Sequence, residues 1–349
     1  MLKKLLVVMA TMLFVSSISI GQYENTNQSK FKQLREELPT PNSYRTASGA
    51  PGHEYYQQKA DYVMHMKLDD ENTRLYGEET ITYHNNSPDI LNYLWLQLDQ
   101  NVRSKDSNTH ATSTGGANER VTIGQLKRLN PDFDGGFKIT NVTDSEGIAL
   151  KYTINQTMMR VDLPVPLSSG DNVIFNIDWW YNINNTNEIG GRSGYEPFEE
   201  DGNNVYCIAQ FFPRMCVYNE VEGWQNKQFL GRGEFALVFG DYDVKLTVPS
   251  DHLVASTGEL QNPDEVLSKE QRRRLENAES EHVQPVVIAT KEEAEERMKG
   301  KAKDSRTWHF KAKNVRDFGW ASSRRFIWDA MGVPMSDGRT VMAASMYIK

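Results

Sequence analysis

From Tyr55 onward the chain alternates apolar and polar residues with a period of two. Residues 61–68 (Asp-Tyr-Val-Met-His-Met-Lys-Leu) and 79–84 (Glu-Thr-Ile-Thr-Tyr-His) are rich in aromatic and β-branched side chains, the pattern of half-buried strands. Asn85-Asn86-Ser87-Pro88-Asp89 is turn chemistry, and 91–98 reads as a third strand. A polar interval at 101–120, carrying Gly115-Gly116, is expected as a long surface loop. Stretches 121–126, 137–142, 149–154, 158–163 and 173–181 supply further strands. Two apolar runs, 235–239 and 242–248, flank Gly240-Asp241 and predict a hairpin, and Pro249, lacking an N–H, should end its second strand. Many strands joined by short turns predict a mainly β chain, either a sandwich or an open, saddle-like antiparallel sheet.

One helical island interrupts the strands, in an insertion spanning 263–300. Ser268-Lys-Glu-Gln271 and Thr290-Lys-Glu-Glu293 both fit the capping box, so helices are predicted over 268–280 and 290–299, with Val286-Val287-Ile288 between them. Strand character resumes at 307–310. Residues 324–330 are expected as a brief helix or loop before a closing strand at 341–347.

Composition narrows the class. The 349 residues are 38% hydrophobic and 25% charged, a globular balance with room for more than one core. A net charge of −8 disfavours nucleic acid as a partner, and the lone basic run, Arg272-Arg273-Arg274, sits among glutamates. Residues 1–21 have Lys3 and Lys4, an apolar run at 5–15 and small residues to Gly21, the layout of a signal peptide with maturation near Gln22. The apolar run is too short to span a bilayer, so an exported protein, periplasmic or extracellular, with no membrane span after signal removal is expected. Residues 22–52 read as a polar linker or arm. The two cysteines, Cys207 and Cys216, are either bridged or two free thiols acting as small apolar residues.

Motifs that would carry chemistry are scarce. The one His-Glu pair, His53-Glu54, is followed by Tyr55-Tyr56-Gln57, so the H-E-x-x-H arrangement of zinc peptidases does not occur. His65, His84, His110, His252, His282 and His309 are scattered singly. Gly190-Gly191-Arg192-Ser193-Gly194 lacks the strand-to-helix setting of a phosphate loop. Trp179, Trp180, Trp224, Trp308, Trp320 and Trp328 could form a glycan platform or pack a core.

Several segments together resemble the gluzincin zinc aminopeptidases, peptidase family M1, in their secreted bacterial members. They are the stretch 206–260, His53-Glu-Tyr-Tyr-Gln-Gln-Lys-Ala-Asp-Tyr62, Gly77-Glu-Glu-Thr-Ile-Thr-Tyr83, Leu94-Trp-Leu-Gln-Leu-Asp-Gln-Asn101, Thr307-Trp-His-Phe310 and Asn314-Val-Arg-Asp-Phe-Gly-Trp-Ala321. The resemblance covers roughly 50–349. It implies a large saddle-shaped antiparallel β-sandwich as amino-terminal domain over 53–320, with a thermolysin-like catalytic domain starting at 321–349. It implies that Gln210, in Ile208-Ala209-Gln210-Phe211-Phe212-Pro213-Arg214, lines the substrate pocket. Phe212 stands beside it, where many relatives carry a second Gln or Glu for the substrate's free amine. Zinc is the implied cofactor of the full-length protein, which would hydrolyse peptides from the amino terminus. The Gly-x-Met-Glu-Asn-like loop, the zinc ligands and the oxyanion tyrosine of that family are not in this chain, so it is expected to be inactive alone and to need its own catalytic domain. The competing expectation is a non-catalytic exported β domain that binds peptide or glycan.

Overall fold

The computed structural model describes residues 41–109, 122–123, 132–231 and 236–348. The signal peptide at 1–21, most of the arm, nearly all of the strand expected at 121–126 and Phe235 lie outside the described residues. In chain order the strands begin with β1 (Lys59–Asp69), β2 (Arg74–His84), β3 (Leu91–Gln97), β4 (Lys138–Asp144), β5 (Tyr152–Asn155), β6 (Met158–Leu167) and β7 (Asn172–Asn182). Next come β8 (Gly194–Phe198), β9 (Asn203–Ile208), β10 (Arg214–Met215), β11 (Tyr218–Asn219), β12 (Gly223–Trp224), β13 (Gly240–Pro249), β14 (Leu253–Ser256) and β15 (Glu259–Leu260). The helices α1 (Pro263–Val266), α2 (Lys269–Ser280) and α3 (Lys291–Met298) follow, interleaved with β16 (Val286–Ala289), before β17 (Ser305–Val315), β18 (Trp320–Ser323), β19 (Ile327–Pro334) and β20 (Thr340–Tyr347). The chain is thus mainly β, with several sheets and few helices.

The largest sheet has seven strands in the order β15-β17-β13-β1-β2-β7-β4. Alternation does what the sequence pattern requires: in β1, Ala60, Tyr62, Met64, Met66 and Leu68 are buried while the intervening residues face outward. The β1–β13 pair is parallel, and the other pairs of this sheet are antiparallel. Two four-stranded sheets, β10-β3-β6-β5 and β14-β18-β9-β8, lie beside it, with a three-stranded sheet, β16-β19-β20, and the β11-β12 ribbon. Aromatic packing links them. Tyr62 stacks on Tyr242 with centroids 4.8 Å apart, and Phe211 reaches Trp179 of β7 at 6.5 Å and Trp320 of β18 at 6.3 Å.

Two expectations are corrected. Gly240-Asp241 is not a hairpin turn: Gly240 begins β13, which lies between β1 and β17. Its glycine serves close approach, since a Cβ there would lie 1.6 Å from the Ala60 carbonyl oxygen. Residues 327–330 belong to a strand, not a helix or loop, because Ile327, Trp328 and Ala330 are buried against the β16-β19-β20 unit. The closing strand expected at 341–347 forms as β20, and it is paired along its whole length with β19.

Pairing also crosses the boundary expected at 320/321. Trp320 and Ala321 sit within β18, which pairs with β14 and β9, and β16 of the helical insertion pairs with β19. Pro249 does end β13, and both capping boxes form. The described end of the arm rests on the body, where Arg45 pairs with Glu220.

Candidate substrate-contact loop around Gln210

β9 is the central strand of its sheet between β18 and β8, and its course ends two residues before Gln210. Gln210 is half-buried and takes φ +52°, the left-handed region. A non-glycine residue there costs roughly 1–2 kcal/mol, which the surroundings must offset. They do so through the backbone. Gln100 Nε2 donates to the Gln210 carbonyl at 2.8 Å and to that of Ala209 at 3.4 Å, while Ala209 N–H donates to Ser193 Oγ at 3.1 Å. Gln100 is itself oriented by Arg103 Nη1, which donates to its Oε1 at 2.9 Å. Gln100 and Arg103 lie on the 3₁₀ turn Asp99–Arg103 that follows β3. The Gln210 side-chain amide makes no hydrogen bond with any described residue, so it does not serve its own turn.

The sharp change of direction at Gln210 sends Phe211, Phe212 and Pro213 inward and lets β10 join β3. Phe212, expected beside Gln210 at the pocket, is instead fully buried. Its ring packs edge-on against Tyr62 at 5.3 Å and Tyr242 at 6.1 Å, because a phenyl ring gains more from that aromatic core than from water. Phe212 therefore supports the loop from beneath. Arg214 anchors the far side: Nη2 and Nε donate to Asp99 Oδ2 at 2.8 and 3.2 Å, and Nη1 to Asp317 Oδ2 at 2.7 Å. Burial lifts the Asp99 and Asp317 carboxyls above the ordinary range although Arg214 pulls them down.

Cys207 and Cys216 are both free, one exposed on β9 and one buried after β10. Burial pushes both thiols up, so neither is an activated thiolate. Trp179, Trp224, Trp308, Trp320 and Trp328 are buried, and the half-buried Trp180 has the Arg74 guanidinium over its ring at 4.4 Å. Their faces are committed to packing. His53-Glu54 falls in a turn. Among the described residues no three His, Cys, Asp or Glu side chains come together to hold a metal ion, so the described residues do not fit zinc. No described helix is long and apolar enough to cross a membrane.

Sequence reasoning singled out Gln210 but missed the residues that hold it, Gln100, Arg103 and Ser193. Two signals were available: the family-like segment 94–101 contains Gln100, and the glycine-containing segment 190–194, set aside as a phosphate loop, supplies Ser193.

No family model matches this sequence, and no curated protein matches it. Solved structures do show likeness. A mutant of the M1 zinc metallopeptidase from Deinococcus radiodurans, bound to a Tyr-Ser-Ala substrate, aligns with 84% of this chain and 48% of its own at 12% identity and a TM-score of 0.44. The M1 zinc metallopeptidase of the same organism gives 84%, 47%, 12% and 0.42. A two-domain M1 zinc metallopeptidase mutant bound to L-tryptophan gives 86%, 50%, 11% and 0.44. The structures this chain is similar to are M1 zinc metallopeptidases, of which it spans about half the length.

Proposed function

We propose that this chain is the amino-terminal portion of an exported zinc-dependent peptidase that cleaves peptides from their amino terminus, and that Gln210 meets the substrate from this portion. Motifs resembling those enzymes, distributed from His53 to Ala321, support the reading, and the leader-like pattern at 1–21 supports export. The observation that carries it is Gln210 itself. Its backbone is held in a strained conformation by two neighbouring loops, while its amide is left without a partner among the described residues. Such an amide can accept from a substrate ammonium and donate to a neighbouring carbonyl.

Zinc would be held by other residues of the full-length protein. This chain's own contribution is to bind and orient. The 349-residue chain alone should show no peptidase activity and no stoichiometric zinc by elemental analysis. In the full-length protein, Gln210→Gly is the sharper test, because glycine relieves the left-handed strain. Stability should hold or rise while kcat/KM falls by roughly 1.5–3 kcal/mol in transition-state terms. Gln210→Ala should show the same kinetic loss with lower stability. Unchanged kcat/KM in both variants would remove Gln210 from the site.

A further inference from the structure

β9 leaves its sheet before the chain reaches Gln210. Its last partners are Gly194 of β8, opposite Cys207, and Trp320 of β18, opposite Ile208, so the ladder ends short of Ala209. Side chains then take over the backbone. The Ala209 N–H donates to Ser193 Oγ at 3.1 Å, and Gln100 Nε2 donates to the carbonyls of Gln210 and Ala209 at 2.8 and 3.4 Å. Ser193 and Gln100 are both buried, so water competes little for these bonds.

Gln100 can do this because its own position is fixed from several sides. It lies on the 3₁₀ turn Asp99–Arg103, where the next residue, Asn101, accepts from the Phe137 N–H through Oδ1 at 2.8 Å and donates through Nδ2 to the Gln156 carbonyl at 2.7 Å. The turn is thereby tied to the start of β4 and to the β5–β6 connection at once. Arg103 Nη1 donates to Gln100 Oε1 at 2.9 Å, and that bond decides which end of the amide faces the two carbonyls, since a flipped amide would set oxygen against oxygen. The object held is the φ of +52° at Gln210, a conformation that a residue with a Cβ leaves when nothing restrains it. That angle sets the direction in which the Gln210 side chain departs from the chain before it, so a relaxed backbone would carry the amide elsewhere.

We propose that Gln100 is a positioning residue: by holding the Ala209 and Gln210 carbonyls it fixes the left-handed turn, and with it the place from which the Gln210 amide meets the substrate. Gln100 is only 2% exposed and acts through Gln210, without touching the substrate itself. The inference rests on the reading of Gln210 as a substrate contact.

The test is a double-mutant cycle on kcat/KM in the full-length protein, combining Gln210→Gly with Gln100→Met, which keeps the length of the side chain and removes its donors. Gln100→Met alone should lower kcat/KM by about fivefold or more, and by no more than Gln210→Gly does. In the Gln210→Gly background it should change kcat/KM by less than about twofold, since no amide is left to place. Hydrogen exchange read by mass spectrometry should speed up about tenfold across 207–212 in Gln100→Met, while β1 and β2 keep their wild-type protection. Equal losses of kcat/KM in both backgrounds would mark Gln100 as merely structural and overturn the proposal. So would a wild-type kcat/KM in Gln100→Met where Gln210→Gly is impaired, or unchanged exchange across 207–212. If Gln210→Gly alone leaves kcat/KM unchanged, the substrate contact itself has failed, and the positioning role falls with it. Should Gln100→Met not fold, Gln100→Glu takes its place in the cycle with the same expected losses, because its carboxylate still accepts from Arg103 but cannot donate to the carbonyls.

Discussion

Glu79 shows how far a single residue can depart from its polarity. It sits on the buried face of β2, where the register places it opposite Met64 and Ile177, and neither carboxylate oxygen has a partner. Burial raises its carboxyl well above the ordinary glutamate range, so the group is held protonated in the fold. In the unfolded chain it ionises from about pH 4.5 upward. The folded state then binds more protons than the unfolded one, so this residue's contribution to stability is complete below that pH and is lost as pH rises towards the folded value. Glu79→Gln, nearly isosteric and never charged, should match the wild type in urea midpoint near pH 4.5 and exceed it at pH 8. An equal offset at both pH values would show that ionisation is not the cause.

Among elements, the helical insertion is the most locally determined. Ser268 Oγ accepts from Gln271 N–H at 3.2 Å while Gln271 Oε1 accepts from Ser268 N–H at 3.1 Å, and Thr290 and Glu293 repeat the exchange at 3.2 and 3.0 Å. The two boxes are joined, since Gln271 Nε2 donates to Glu293 Oε2 at 3.2 Å and Arg274 Nη1 to Glu293 Oε1 at 2.8 Å. Ser268→Ala and Thr290→Ala should each cost about 1 kcal/mol by urea denaturation. Because the boxes share partners, the double variant should deviate measurably from the sum. α2 also packs on β16 and β19, so these caps steady the sheet that carries β20.

At the scale of the molecule, a buried ionic cluster holds two sheets together. Arg324 donates to Asp251 Oδ2 at 2.7 Å and Asp70 Oδ2 at 2.8 Å, and Tyr206 Oη donates to Asp70 Oδ1 at 2.7 Å. Asp70 lies in the turn between β1 and β2 of the seven-stranded sheet, whereas Tyr206 is on β9 and Arg324 follows β18. His252 borders the cluster, sharing a 2.7 Å hydrogen bond with Ser322, and burial with the nearby Arg324 charge pushes it down to about 4. Its neutrality costs stability as pH falls from 6.5 through 4, where the unfolded chain takes up the proton first. Arg324→Leu would strand two carboxylates and should cost about 3–5 kcal/mol. Adding Asp70→Asn and Asp251→Asn should restore much of that loss. A loss below about 1 kcal/mol in Arg324→Leu would mean that the sheets are held by apolar packing alone.

Period-two alternation determined β1, β2, β3 and β7 directly, because a strand with one buried face must repeat every second residue and the repeat is visible in any short window. Both capping boxes were legible for the same reason, their partners being three residues apart. Gly240 and residues 327–330 were not legible locally. Whether a glycine turns the chain or lets another backbone approach depends on Ala60, 180 residues away, and Ile327–Ala330 extend only because β16 and β20 offer them partners. Gln210 was marked by its resemblance to a family motif. Its left-handed backbone, the Gln100 and Ser193 contacts that hold it and the burial of Phe212 beneath it were decided by tertiary structure, since each depends on which distant groups the folded sheets bring within hydrogen-bonding or packing distance.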